Sequence, residues 1–114
     1  MKFTIGRRAL QTVLKAVASR PSEADKISEE DAVTLSACAG RVFVKCKGDV
    51  VGIEAFVLED GAVTLPAKKF LTLLNTYKGT RSLTLEGNVD GLRVQTFWMP
   101  LLGYDPHPEP PAEL

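Results

Sequence analysis

The order of apolar and polar residues along the 114-residue chain predicts two similar helices set among short strands. Residues 2–5 alternate and predict a strand, and from Leu10 the apolar positions recur at helical spacing until Pro21 stops the helix. The stripe of this first helix is Leu10, Val13, Leu14 and Val17. A second helix is predicted with Pro66 at its first position and Gly79 at its end. Its stripe is Phe70, Leu73, Leu74 and Tyr77.

The segment between these helices predicts a hairpin. Strands over 32–38 and 41–47 flank a tight turn at Ala39-Gly40, which pairs Cys38 with Arg41. In this register the apolar residues of both strands share one face, whereas the two cysteines of the chain lie on opposite faces and cannot form a disulfide. We therefore expect free thiols. One histidine and the lack of Cys-x-x-Cys spacing predict no metal site and no redox pair.

Four more segments are predicted to be strands. They are Val51–Glu59, Ala62–Leu65, and a final hairpin of Ser82–Glu86 with Leu92–Trp98. After Pro100 the chain is rich in proline and is predicted to be extended and unable to enter a sheet interior.

The composition fits one soluble globular domain, with 45% hydrophobic and 25% charged residues. We expect a domain over residues 1–99 and a proline-rich C-terminal tail over residues 100–114. No apolar run approaches the ~20 residues of a membrane span, and no signal peptide is evident, so we expect a cytoplasmic protein without a membrane partner.

Alignment of the sequence with itself at an offset of 60 residues reveals an internal repeat. Residues 3–14 align with residues 63–74, and apolar positions align with apolar positions. The identical pairs are Thr4/Thr64, Thr12/Thr72 and Leu14/Leu74. A shared strand–helix phase alone could align the apolar residues, but the matched threonines and bases favour duplication. The predicted fold class is α+β, with two helices packed on antiparallel sheets and an internal β-α-β-β-β duplication.

The net charge of zero conceals a segregation of charge along the chain. Residues 1–20 and 66–81 together hold nine bases and no acid, and the rest of the chain carries the compensating excess of acid. The faces opposite the two apolar stripes are basic and small-polar: Arg8, Thr12, Lys15 and Ser19 on the first helix, and Lys68, Thr72 and Asn75, flanked by Lys69, on the second.

Exposed helices ordinarily mix charge signs, so two acid-free faces indicate a polyanionic partner. Arginine, lysine, serine and threonine contact phosphates, and no helix-turn-helix, zinc-finger or aromatic ribonucleoprotein motif is present. Binding to nucleic acid is therefore expected to lack sequence preference. The alternative interpretation is that these are solvated structural lysines.

Five short stretches, taken in order, carry a resemblance that spans nearly the whole chain. They are Met1–Ile5, Arg20-Pro21, Leu65–Phe70, Leu85–Gly87 and Leu92–Val94. Together they resemble the first domain of the bacterial replicative sliding clamp, the beta subunit of DNA polymerase III. The resemblance implies two inner helices backed by antiparallel sheets, and a ring of such domains that closes around duplex DNA and keeps a polymerase on its template.

In that family the arginine-proline turn and the proline-alanine-basic motif face DNA, and they match Arg20 and Lys68. Together with five further bases of the two basic segments, they make up the candidate DNA-binding residues Arg7, Arg8, Lys15, Arg20, Lys68, Lys69 and Lys78. The sequence departs from the family in having one domain where a clamp chain has three, and in the acidic stretch at residues 22–31. Because the family's peptide pocket lies in the missing domains, peptide binding is not carried over.

Two functions are compatible with these features. One is a DNA-binding ring formed by several copies joined edge to edge, although the prolines of the tail could block strand pairing. The other is an adaptor in a nucleoprotein complex that docks a partner protein through the tail. The candidate partner-binding residues are Trp98, Leu101, Leu102 and Tyr104, which could instead cover the core of their own domain.

An enzyme is not expected. The lone histidine, His107, lies in the proline-rich tail, the carboxylates lie in turns or loops, and no glycine-rich phosphate loop occurs. We therefore expect no catalytic residue, no cofactor and no small-molecule substrate.

Overall fold

The computed structural model describes residues 1–18, 32–46, 49–77 and 79–108, which form ten strands and two helices. The elements are β1 (Lys2–Gly6), α1 (Arg7–Ala18), β2 (Ala32–Cys38), β3 (Arg41–Cys46), β4 (Asp49–Glu54), β5 (Phe56–Glu59), β6 (Gly61–Pro66), α2 (Ala67–Asn75), β7 (Ser82–Asn88), β8 (Gly91–Val94), β9 (Phe97–Met99) and β10 (Gly103–Asp105). None of the helices in these ranges is long and apolar enough to cross a membrane.

The strands form two antiparallel five-stranded sheets of related topology. Sheet A has the order β5-β1-β7-β8-β9, and sheet B has the order β10-β6-β2-β3-β4. Replacing every strand by the one five places along the chain converts each order into the other, so the two halves share one arrangement. A hydrogen bond of 3.0 Å between threonine hydroxyls joins β1 to β7 (Thr4 and Thr84) and, at the equivalent place, β6 to β2 (Thr64 and Thr34). The α+β fold class is confirmed, while descent from a duplicated sequence stays a prediction.

One hydrophobic core holds the two sheets and both helices together. Leu10 and Leu14 of α1 and Phe70 and Leu74 of α2 are fully buried, as their spacing predicts. Burial of each such side chain stabilises the fold by roughly 1.5–3 kcal/mol. Leu73 and Tyr77 are partly buried at the edge of this core, and the Tyr77 hydroxyl donates a hydrogen bond to the Val94 carbonyl oxygen at 3.1 Å.

The first residue of the chain is part of the core. Met1 is 4% exposed, and its ammonium donates to the Gly87 carbonyl oxygen at 3.0 Å. The Gly87 N–H donates in turn to the Met1 carbonyl oxygen at 2.8 Å. Gly61, the first residue of β6, leaves room for Met1, because a Cβ built at Gly61 would lie 2.6 Å from the Met1 Cβ.

The β2–β3 hairpin has the predicted register, with Cys38 opposite Arg41. Its turn residues Ala39 and Gly40 both have positive φ, 52° and 73°, as the two-residue turns that match strand twist require. Both cysteines are buried and unoxidised, with Cys46 in the core and Cys38 on the opposite face of the sheet. The prediction that they form no disulfide with each other follows from this geometry.

Two predicted strands are in fact strand pairs. The prediction of one strand over Val51–Glu59 is wrong, because β4 ends at Glu54 in sheet B and β5 begins at Phe56 in sheet A. The predicted strand Leu92–Trp98 likewise divides into β8 and β9 around Gln95, which has a φ of 57°. Alternation of apolar residues continues through the first break, at Val51, Ile53, Ala55 and Val57, so the pattern does not show the change of sheet there. At the second break the core-facing positions change from Leu92 and Val94 to Phe97 and Met99.

The second helix differs from prediction at both of its ends. Pro66 is the N-cap of α2 rather than its first residue, and the helix ends at Asn75 with Thr76 as C-cap, ahead of Gly79. The Thr76 hydroxyl donates to the Leu73 carbonyl oxygen at 2.7 Å and helps to end the helix there. In the segment assigned to the tail, β10 pairs with β6 at the edge of sheet B. The acidic stretch at residues 22–31 lies outside the described residues.

Candidate nucleic-acid interface

The two helices lie side by side and antiparallel. At the start of α1, the Arg7 N–H donates to the carbonyl oxygen of Arg81, which follows α2 in the chain, at 2.9 Å. One turn later the Gln11 side-chain amide donates to the side-chain oxygen of Asn75, the last residue of α2. Moving forward along α1 therefore means moving backward along α2. The two helices present one continuous outer face between them.

This outer face carries the predicted residues. Seven of them have exposed side chains: Arg8, Thr12, Lys15, Lys68, Lys69, Thr72 and Asn75. Arg7 is half-buried, and its guanidinium donates to the Thr80 carbonyl oxygen at 3.0 Å and to the Gln11 side-chain oxygen, so it joins α1 to the segment after α2. Ser19, Arg20 and Lys78 lie outside the described residues.

The helix pair is electrostatically one-sided. α1 and α2 contain five cations and no carboxylate. Within the described part of the chain, Arg8, Lys15 and Lys69 form no ion pair, and Glu86 pairs instead with Lys2 at 3.8 Å and Arg93 at 3.1 Å on the outer face of sheet A. A compact set of like charges creates a positive potential that attracts polyanions.

A groove of about 760 Å³ lies beside the helix face, between α2 and the edge strand β9. Its lining is largely apolar and comprises Pro66, Lys68, Lys69, Thr72, Leu73, Thr76, Phe97, Trp98, Met99 and Pro100. Phe97 is 52% exposed although it lies on the core-facing side of β9, opposite Val94. The sequence does not predict this groove, because it predicts one strand over Leu92–Trp98 and therefore no separate edge strand at Phe97.

The four candidate partner-binding residues do not form one surface. Trp98 lies on β9, with the Arg93 guanidinium 6.0 Å from its ring, and lines the groove beside α2. Leu101, Leu102 and Tyr104 line a separate groove of about 520 Å³ near β10, in the other sheet. Leu101 and Tyr104 also pack against the core, as the alternative interpretation held, whereas Leu102 is exposed. Docking of a partner through these residues stays a prediction.

Comparison with known proteins gives matches among solved structures only; no protein-family model and no curated protein sequence matches the chain. A Helicobacter pylori beta clamp bound to a DNA ligase peptide superposes with a TM-score of 0.74 and 23% identity over 98% of this chain. Caulobacter crescentus pol III beta superposes with a TM-score of 0.65 and 22% identity over 89% of this chain.

The chain spans about a third of these clamp proteins, 34% of the Helicobacter chain and 29% of the Caulobacter chain. At this level of identity the comparison establishes the fold. The order of strands, the two contacting helices and the coverage agree in one conclusion: the chain has the fold of a single domain of a bacterial beta sliding clamp.

Proposed function

We propose that this protein is a non-catalytic, clamp-like protein that associates with duplex DNA without sequence preference, and that it does so as a homo-oligomer. The observation that supports DNA association is the outer face of α1 and α2, where the exposed bases Arg8, Lys15 and Lys68 share one surface and neither helix contains an acid. The clamp-domain fold supports the same proposal, since the superposed structures are sliding clamps.

Binding of this kind is governed by counterion release. Each phosphate that a lysine or arginine neutralises contributes about −0.9 to the slope of log K against log salt. If Arg8, Lys15 and Lys68 each take one phosphate, one copy of the chain should give a slope near −3. Base sequence should have little effect, because lysine and arginine side chains of this kind contact phosphates, which carry no sequence information.

The test is a titration of labelled duplexes of two unrelated sequences by fluorescence anisotropy between 50 and 200 mM salt. The charge-reversed variant R8E/K15E/K68E should lose binding at every salt concentration. A matched control is R41E/K45E/R93E, which changes the net charge equally with bases that lie on the sheets. Equal binding by the two triple variants, or wild-type binding without salt dependence, would overturn the proposed role of the helix face.

The sheet edges support the proposal that several copies assemble. A single domain cannot surround a duplex, and large exposed apolar residues cluster on edge strands: Val50 and Val51 on β4, Phe56 and Leu58 on β5, and Phe97 on β9. β4 and β9 occupy equivalent places in the two sheets. Pairing of β9 in one copy with β4 in the next would continue the sheets head to tail and bring apolar side chains to the groove beside α2.

Assembly is tested by sedimentation equilibrium with and without closed circular DNA. The Phe97→Asp variant should lower the average mass, because it places a charge on the proposed contact. Val89→Asp is the matched control, since Val89 is 79% exposed on the turn between β7 and β8 and lies on neither proposed edge. A wild-type protein that remains monomeric at tens of micromolar in both conditions would refute assembly while leaving DNA association open.

A further inference from the structure

The two sheets end in four edge strands, β5 and β9 in sheet A and β10 and β4 in sheet B. The proposed assembly uses β9 and β4. Pro106 directly follows β10, and proline has no N–H with which to extend a strand pair. β5 contains no proline, and among the described strands it pairs with β1 alone. The outer edge of β5 is therefore open to a further strand.

The side chains of β5 are apolar for so open an edge. Phe56 is 68% exposed and Leu58 is 52% exposed, whereas Val57 between them packs against the core. The register with β1 shifts at Leu58, which has no partner residue on β1. Proteins ordinarily protect open strand edges with charges or prolines, so exposed apolar side chains on such an edge mark a contact site.

The two ends of β5 are acidic. Residues 48–67 include four acids and no base. Three of these acids flank the apolar part of the strand: Glu54 lies two residues before Phe56, and Glu59 and Asp60 follow Leu58. All three are exposed, and within the described part of the chain none of them forms an ion pair.

Two bases lie opposite these acids in the sheets without neutralising them. Lys2 is the register partner of Glu59, but its ammonium lies 3.8 Å from the carboxylate of Glu86, on the strand at its other side. Arg41 is the register partner of Glu54, and among the described residues the two form no ion pair. The carboxylates outnumber these bases, so the open edge keeps a negative charge at both ends.

We propose that β5 accepts an extended segment of another protein, one with apolar side chains at alternate positions and a basic residue at each end. Main-chain hydrogen bonds to the open edge would hold the added strand, as in other cases where a peptide extends a sheet. Phe56 and Leu58 would contact its apolar side chains. Opposite charges on neighbouring strands are stabilising, so the acids at both ends of β5 select a strand with basic ends.

The same acids disfavour a second copy of this chain on β5. In an antiparallel β5–β5 pair, Glu54 of each copy would lie towards Glu59 and Asp60 of the other. In a parallel pair, each acid would lie level with its own counterpart. Both arrangements place like charges opposite one another, which is destabilising. The open edge therefore favours a partner of opposite charge over itself.

The probe is a seven-residue peptide with a lysine at each end and valine alternating with threonine between them. It is compared with the same peptide ending in glutamates and with one that carries proline at its centre. Binding is followed at low salt by NMR of the 15N-labelled protein. The lysine peptide should shift the backbone amide signals of β5 and slow their hydrogen exchange. The glutamate peptide should bind about tenfold more weakly, and the proline peptide should lose most of its binding.

Variants of the protein test the role of charge separately from the apolar contact. E59K/D60K should reverse the preference and bind the glutamate peptide better than the lysine peptide. The matched control D90K/D105K changes the net charge equally, with acids on the β7–β8 turn and on β10, and should keep the wild-type preference. Phe56→Ser should weaken binding of the lysine peptide several-fold without changing the order of preference.

Three results would overturn the inference. They are equal binding of the lysine and glutamate peptides by the wild type, amide shifts centred outside β5 and β1, and no saturable shift with the lysine peptide. A fall in average mass of the Phe56→Ser variant in sedimentation equilibrium would assign β5 to a second copy and would also contradict it. No DNA enters these measurements and β5 is not paired in the proposed assembly, so their failure leaves the proposed function untouched.

Discussion

Replacement of Gly61 by alanine tests the packing of the chain start against β6. A Cβ at Gly61 would lie 2.6 Å from the Met1 Cβ, 2.9 Å from its Cα and 3.0 Å from its nitrogen. Two of these three atoms are backbone, and the Met1 backbone is held by hydrogen bonds of 2.8 and 3.0 Å to Gly87. The contact therefore cannot be relieved by turning a side chain, and strand β1 or β6 must shift.

Overpacking of a well-filled core costs typically about 1–3 kcal/mol. Because the clash at Gly61 involves backbone, we expect a loss near the upper end, about 2–3 kcal/mol in the free energy of unfolding. A loss of 1 kcal/mol lowers Tm by roughly 4–8 °C in a domain of 60–100 residues, so the predicted fall in Tm is on the order of 10 °C or more.

The assay is urea and thermal unfolding followed by circular dichroism at 222 nm, with the slope m compared to verify that the denatured state is unchanged. Gly79→Ala is the matched control, since a Cβ there meets nothing within 4 Å and should leave stability within about 1 kcal/mol of the wild type. A Gly61→Ala variant as stable as the control would show that Met1 does not hold its place rigidly, and the reasoning would fail.

Two further pairs of substitutions test local geometry. Ala39→Asn should raise the free energy of unfolding by about 1 kcal/mol in urea titrations, because Ala39 has a φ of 52° and asparagine tolerates this left-handed conformation better than other non-glycine residues. Ala39→Val should lower the free energy of unfolding. Equal stability of the two variants would contradict this account. Thr4→Val and Thr64→Val should each lower the free energy of unfolding by about 1 kcal/mol, because each removes one of the two equivalent 3.0 Å hydrogen bonds between threonine hydroxyls. A large difference between the two losses would show that the two halves are not energetically equivalent.

Much of the fold could be predicted from the sequence because its signals are local. The spacing of Leu10 and Leu14, and of Phe70 and Leu74, determines which side of each helix is buried, and the opposite basic faces follow from the same period. The register of the β2–β3 hairpin follows from a two-residue turn between two alternating strands. In these cases the information that decides the structure lies within a few residues.

The errors concern choices that depend on distant partners. Glu54 and Phe56 are separated by one residue, yet they pair with different sheets, and a partner strand is not encoded in the alternation of β4 or β5. The candidate partner-binding residues lie on two separate surfaces because β9 and β10 belong to different sheets, and the choice of sheet again depends on distant partner strands. The groove between α2 and β9 could not be predicted, because it requires a helix and a strand edge that are far apart in sequence to be placed side by side.

Trp98 provides an intrinsic fluorescence probe. It is the one tryptophan of the chain, and it lies half-exposed on the edge strand β9, in the groove that Lys68 and Lys69 also line. Contact with a second copy along that edge should bury the indole and shift its emission to shorter wavelength, even when no DNA is present. The emission spectrum of an unlabelled sample, recorded against protein concentration, would therefore report self-association.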